Sequence, residues 1–138
     1  MTKHIDDREA LQPSGGERYE GTAQLAAVLE ENTHYIWEHH IRPLITPSLI
    51  QEHAEDPLGR HTPALDMLLS FLRSDPMRGK PQYVIMCTVP ATEWVIGEHP
   101  RRRGEIILSA VDSERYASVD AAEHAIFLRR LRDLGVDV

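Results

Sequence analysis

Residues 62–97 read TPALDMLLSFLRSDPMRGKPQYVIMCTVPATEWVIG, and within them the hydrophobic period changes from that of a helix to that of a sheet. Leu65, Leu68, Leu69 and Leu72 fall at i, i+3, i+4 and i+7, on one helical face. Thr62-Pro63 ahead of them pairs an N-cap residue with a proline at the first helical position, where the missing N–H is not needed. The helix stops before Asp75-Pro76, because a proline ring pushes the residue before it out of the helical region. After Gly79-Lys80, the run Tyr83-Val84-Ile85-Met86-Cys87-Thr88-Val89 is rich in β-branched and aromatic side chains and reads as a central strand. Pro90-Ala91-Thr92 makes a turn, and Glu93-Trp94-Val95-Ile96-Gly97 reads as a second strand. So short a connection joins antiparallel strands, since a parallel pair needs a crossover of about a dozen residues.

Downstream, Arg101-Arg102-Arg103-Gly104 reads as a basic hairpin loop and Glu105–Ala110 (EIILSA) as a third strand. Ser118 is a suitable N-cap for a last helix, with Asp120 and Glu123 where the helix dipole favours negative charge. Phe127, Leu128, Leu131 and Leu134 supply its apolar face, backed by Ala121 and Ala125, and Gly135 fits the residue just past its end. The expected class is α+β: N-terminal helices, a small antiparallel three-stranded sheet, and a C-terminal helix packed on it.

Upstream, Thr46-Pro47 repeats the cap-plus-proline signal and opens a short helix through about Glu55. From about Thr22 the chain turns helical again. Leu25, Val28, Leu29, Ile36, Trp37 and Ile41 are compatible with one face, although Asn32 and Thr33 weaken its middle, and Pro43 ends or bends the segment. Residues 1–18 show scattered charges around Pro13-Ser14-Gly15-Gly16 and no apolar period, which predicts a mobile leader ahead of a single α+β domain over 19–138.

Composition excludes several classes. The chain has 138 residues, with 15 Lys+Arg against 22 Asp+Glu, for a net charge of -7. Such a surface does not suit a general nucleic-acid binder, whose phosphate contacts need basic side chains. The charge is uneven: residues 1–56 hold 11 acidic and 4 basic side chains, and residues 57–138 hold 11 of each. No stretch approaches the roughly 20 apolar residues of a membrane span. The N-terminus has no apolar segment of a secretory signal. The single cysteine, Cys87, can form no internal disulfide, which favours a reducing compartment. The expectation is a cytoplasmic protein without membrane or nucleic-acid partners.

The residue types that carry chemistry form no complete constellation in the sequence. Eight histidines are present: His4, His34, His39, His40, His53, His61, His99 and His124. No two make the i, i+4 pair with an intervening glutamate of a zinc protease, and Glu-His recurs in separate elements at positions 38–39, 52–53, 98–99 and 123–124. No native metal site is expected from them on this chain. Cys87 lies mid-strand, where a small buried hydrophobe belongs and not an exposed thiolate. There is neither a nucleophile elbow nor a phosphate-binding glycine loop. The most unusual segment is Gly59-Arg60-His61-Thr62-Pro63, whose fixed helix start holds Arg60 and His61 in a defined position. Arg129, Arg130 and Arg132 exceed what a helix end requires, and arginine and tryptophan often anchor interfaces.

Three blocks carry a family resemblance. They are Glu52-His53-Ala54 with Pro57, Gly59, His61, Pro63 and Leu65; Phe71, Arg73, Pro76 and Gly79-Lys80 leading into Tyr83; and Ala122 with His124-Ala125 and Phe127-Leu128-Arg129-Arg130. In this order and spacing, with Trp94 between them, the core from about Gln51 to Leu134 resembles the small subunit of N,N-dimethylformamidase. The resemblance implies an accessory subunit of a hetero-oligomeric amide hydrolase. The iron and catalytic groups would lie on a large catalytic partner subunit, with no catalytic residue and no cofactor on this chain. Arg60, His61, Trp94, Arg129 and Arg130 are the candidate partner-interface residues. A stand-alone binding protein using a His-based metal or ligand site, through His34, His39, His40 and His53, is the alternative. A self-contained enzyme built on Glu52, His53, Arg60 and His61 comes third.

Overall fold

A computed structural model of the chain describes residues 15–74, 82–99 and 109–138. The chain divides into two compact units, Met1–His40 and Ile41–Val138. The first holds helix α1 (Gly15–Ile36) and most of a π-helical turn, Trp37–Ile41. Residues 15–18, expected in the leader, are therefore helical, and residues 1–14 lie outside the described residues. The expected common face of this helix also divides. Leu25, Val28, Leu29 and Ile36 are exposed, whereas Trp37 and Ile41 are buried. Trp37 follows Ile36 by one residue and so sits about 100° round the helix from it. The π turn then changes the phase again before Ile41.

The second unit opens with the 3₁₀ turn Arg42–Leu44, followed by α2 (Pro47–Glu55) and α3 (Pro63–Arg73). The Thr46 hydroxyl accepts a hydrogen bond from the Leu49 N–H at 3.1 Å, so the sequence signal for the start of α2 is a working cap. In α3 the leucine stripe does what its spacing requires: Leu65, Leu68 and Leu72 are buried. Truncating a leucine as buried as Leu65 to alanine costs about 2–5 kcal/mol.

Strands β1 (Tyr83–Val89) and β2 (Glu93–Glu98) form an antiparallel hairpin with Ile85 opposite Ile96 and Met86 opposite Val95. The register shifts between Cys87 and Val89, and Ala91 in the turn takes a left-handed φ of 58°. Two sequence expectations fail here. β2 lies inside the sheet and buries Val95, Ile96 and Gly97, whereas β1 is an edge strand with no fully buried residue. Cys87 is consequently exposed, because β1 runs out toward solvent over its last three residues. Of the expected third strand only the short piece Ser109–Ala110 pairs with β2 among the described residues, so a full three-stranded sheet is not borne out. The described residues give a two-stranded ladder with only a two-residue pairing at its margin, Ala110 opposite Gly97 and Ser109 opposite Glu98. Most of the expected third strand and the Arg101–Gly104 loop lie outside the described residues.

Helix α4 (Val119–Asp133) closes the unit and packs against β1, β2 and α2. The Ser118 hydroxyl accepts from the Ala121 N–H at 3.1 Å. At the far end Gly135, with φ of +89°, lets the Val136 N–H reach the Leu131 carbonyl and its own N–H reach that of Arg132. That pair of bonds is the glycine-terminated Schellman stop. Ala122, Ile126, Phe127 and Leu131 face inward and are buried. The architecture is α+β, with α4 between the sheet and the helical pair. No helix among the described residues is long and apolar enough to cross a membrane.

Candidate functional site

Helices α2 and α4 meet at a cluster of rings. The Nδ1 atoms of His53 and His124 approach to 2.9 Å. His53 also stacks on Phe127, with ring centroids 4.0 Å apart and planes inclined by 18°, and on His61 at 6.0 Å. His53 is 3% exposed. Its pKa is pushed down to about 4, first by burial and then by the neighbouring His124 and His61, against an opposing pull from Glu52. Burial lowers His124 as well. Two facing nitrogens at this distance make a hydrogen bond only if one ring carries the Nδ1 proton and the other presents its lone pair. The pair is thus held neutral near pH 7, and charging both rings would set two N–H groups against each other.

Glu52, adjacent to His53, ties α2 to the start of α3. Its carboxylate accepts from the Thr62 N–H at 2.7 Å and from the Thr62 hydroxyl at 2.8 Å. The Thr62 side chain occupies the N-cap position but accepts nothing from the helix behind it. It donates to Glu52 instead, so the cap that its sequence signals is replaced by a clasp between helices. These two bonds, above all the backbone one, hold the Glu52 carboxyl below its ordinary pKa, with smaller help from His61 and His53. Between the helices, His61 Nε2 hydrogen-bonds the Asp56 carbonyl at 2.7 Å, and its Nδ1 lies 3.7 Å from Asp66. A Cβ on Gly59 would collide with the Asp56 carboxylate, so glycine is what allows the loop to close this tightly.

The interface candidates fall at separate places. Arg60 is exposed at the rim of an open depression floored by Gln51, Glu52 and Thr62, and has no hydrogen-bond or ionic partner among the described residues. Its neighbour His61 lines the same depression, but its side chain is only 5% exposed. Trp94, half-buried, exchanges two backbone hydrogen bonds with Tyr116, at 2.9 and 2.8 Å. Arg129 is ion-paired with Asp112, while the half-buried Arg130 has no such partner among the described residues. The other tryptophan, Trp37, is 2% exposed.

Sequence reading missed the histidine pair, because 71 residues separate its members. A signal was present: Glu52-His53-Ala54 and His124-Ala125 stand in two of the three blocks that carry the family resemblance. Of the residues grouped for metal binding, His34 lies on α1, His39 and His40 on the π turn, and His53 on α2. Among the described residues no group of three or more His, Cys, Asp or Glu side chains is arranged to hold a metal.

The model of the N,N-dimethylformamidase alpha subunit family matches residues 27–138, which extends the Gln51–Leu134 core at both ends and takes in the whole ring cluster. No curated protein matches the chain. Since the match covers most of the sequence and every element from the second half of α1 onward, the chain belongs to the N,N-dimethylformamidase alpha subunit family.

Proposed function

We propose that the chain is the non-catalytic small subunit of a hetero-oligomeric amide hydrolase, supporting a larger partner that hydrolyses N,N-dimethylformamide or a related small amide to an amine and a carboxylate. The observation that carries this reading is the family match over residues 27–138. The ring cluster supports it. A self-neutralising imidazole pair, with His53 buried and stacked on Phe127 and His124 half-buried, is suited to locking α2 against α4, not to moving protons at a substrate.

In this reading the iron belongs to the partner. Among the described residues, the Nδ1 atoms of His53 and His124 are engaged with each other and His61 Nε2 with a carbonyl, which supports placing the iron there. The surface offered to the partner includes Arg60 and Arg130, whose charges are unmatched among the described residues, and the half-buried Trp94. His61 and Arg129 contribute by fixing the loop and helix that carry those neighbours.

The test is gentle purification of the tagged chain from the cells that make it, followed by native mass measurement and metal analysis. A stoichiometric large chain carrying iron, with hydrolysis by the complex and none by the isolated small chain, is the expected result. A lone monomer or homodimer overturns the reading.

A further inference from the structure

Helix α1 exposes an apolar stripe. Leu25, Val28 and Leu29 are followed seven residues later by Asn32, Tyr35 and Ile36, so the six side chains recur on a single face. The five apolar ones are between 43% and 59% exposed, and Asn32 is exposed in their midst. Glu30 and Glu31 lie off the stripe.

Charge and length decide what covers it. A helix that lies on a membrane surface is lined with Lys and Arg on its polar face, whereas this one carries glutamates. Self-pairing as a coiled coil needs about three to four heptads, and two are present. Five half-exposed side chains also fall well short of the ~800 Å² that each partner of a standard interface buries. A second copy would moreover bring together two segments that each hold 11 acidic and 4 basic residues over positions 1–56. A groove that wraps the stripe and both flanks meets these limits, since it buries more of a short helix than one facing helix does.

We infer that the Leu25–Ile36 stripe of α1 docks into an apolar, basic-rimmed groove of the large partner subunit. This rests on the reading of the chain as a small subunit. The exposed Asn32 fixes the register of docking, because only one placement gives its amide a polar partner in an otherwise apolar groove.

The complex purified with wild-type chain supplies the test. Leu25→Glu with Leu29→Glu is expected to reduce recovery of the large subunit at least about tenfold, since two apolar anchors are lost from the centre of the contact. Glu31→Lys, on the flank of the stripe, is expected to weaken it less, and Ala27→Glu on the opposite face to leave it unchanged. Circular dichroism of each variant checks that the helix persists. A photo-crosslinking phenyl ketone at position 29 is expected to mark the large subunit, and one at position 27 is not. Undiminished recovery with Leu25→Glu/Leu29→Glu, or a crosslink from position 29 to a second copy or to the chain's own residues 41–138, overturns the inference while leaving the subunit reading intact. Absence of any large subunit with wild-type chain overturns both.

Discussion

His53 and His124 share one hydrogen bond across 2.9 Å, and with it α2 is fastened to α4 through two groups that ordinarily titrate near neutrality. The bond survives only while at least one ring is neutral. Burial supplies that condition, and the stacked Phe127 keeps water from the face of His53.

Stability is therefore expected to fall with acid in a defined window. The folded-state pKa of His53, about 4, lies below the 6.5 of an unperturbed histidine, and His124 is displaced in the same direction. The unfolded chain thus takes up protons first as pH drops. The contribution is complete above about pH 6.5 and is withdrawn between there and about pH 4, amounting to about 1–3 kcal/mol once solvent screening is allowed for. Glu52, whose pKa is lowered, acts in the same sense but only below the ordinary carboxylate range. Urea midpoints measured from pH 7.5 to 4.5 should show the loss, and His53→Phe, which preserves the stack on Phe127, should flatten it. Equal slopes for variant and wild type would show that the pair is not the proton-sensitive element.

The Glu52–Thr62 clasp should behave as one unit. Glu52→Ala removes the acceptor of both bonds, whereas Thr62→Val removes only the hydroxyl donor and leaves the backbone N–H in place. Melting temperature is expected to fall more for Glu52→Ala than for Thr62→Val. The double variant should be little worse than Glu52→Ala alone, because neighbours in one hydrogen-bond set are not additive. Additive losses would mean that each side chain stabilises the chain through something other than the other.

Why the clasp and the histidine pair were hidden in the sequence, while other parts were plain, has a physical cause. Periodicity reports which face of an element is apolar. That was enough for Leu65, Leu68 and Leu72 in α3, for Phe127 and Leu131 in α4, and for the hairpin from Tyr83 to Glu98. Cap chemistry is equally local, and Thr46, Ser118 and Gly135 act as their types suggest. Thr62 shows the limit, because a hydroxyl that would cap its own helix found a better acceptor ten residues back in another one. Cys87 misled for a similar reason: β-branched neighbours mark a strand but do not say on which side of the sheet its edge lies. Of the candidate interface residues, their types were legible and their engagement was not. The ion pair of Arg129 with Asp112 depends on how the chain folds back after the sheet.

Tyr83 anchors the edge strand to the end of α4. Its hydroxyl donates to Asp133 Oδ2 at 2.5 Å, and burial, this bond and the charge on Asp133 all raise its pKa well above that of a free phenol. Tyr83→Phe is expected to cost about 1.5–3 kcal/mol, the worth of a hydrogen bond to a charged group. Alkaline absorbance titration should follow four tyrosines, with Tyr83 ionising last and that latest step missing from Tyr83→Phe. A titration unchanged by the substitution would show that the phenol does not hold this bond in solution.

The loop that presents Arg60 depends on the absence of a side chain at Gly59. A Cβ there collides with the Asp56 carboxylate, and the Asp56 backbone cannot simply retreat, because its carbonyl accepts from His61 Nε2. Gly59→Ala must therefore turn the Asp56 side chain away or open the loop, and either outcome displaces the neighbouring Arg60. The expected result is a fall in melting temperature together with weaker recovery of the large subunit. Asp56→Ala should be well tolerated at its exposed position and should remove most of the penalty of Gly59→Ala in the double variant. If the penalty persists without the Asp56 carboxylate, the constraint lies in the loop backbone instead of in that one contact, and restoring the small side chain at 56 should also fail to restore assembly.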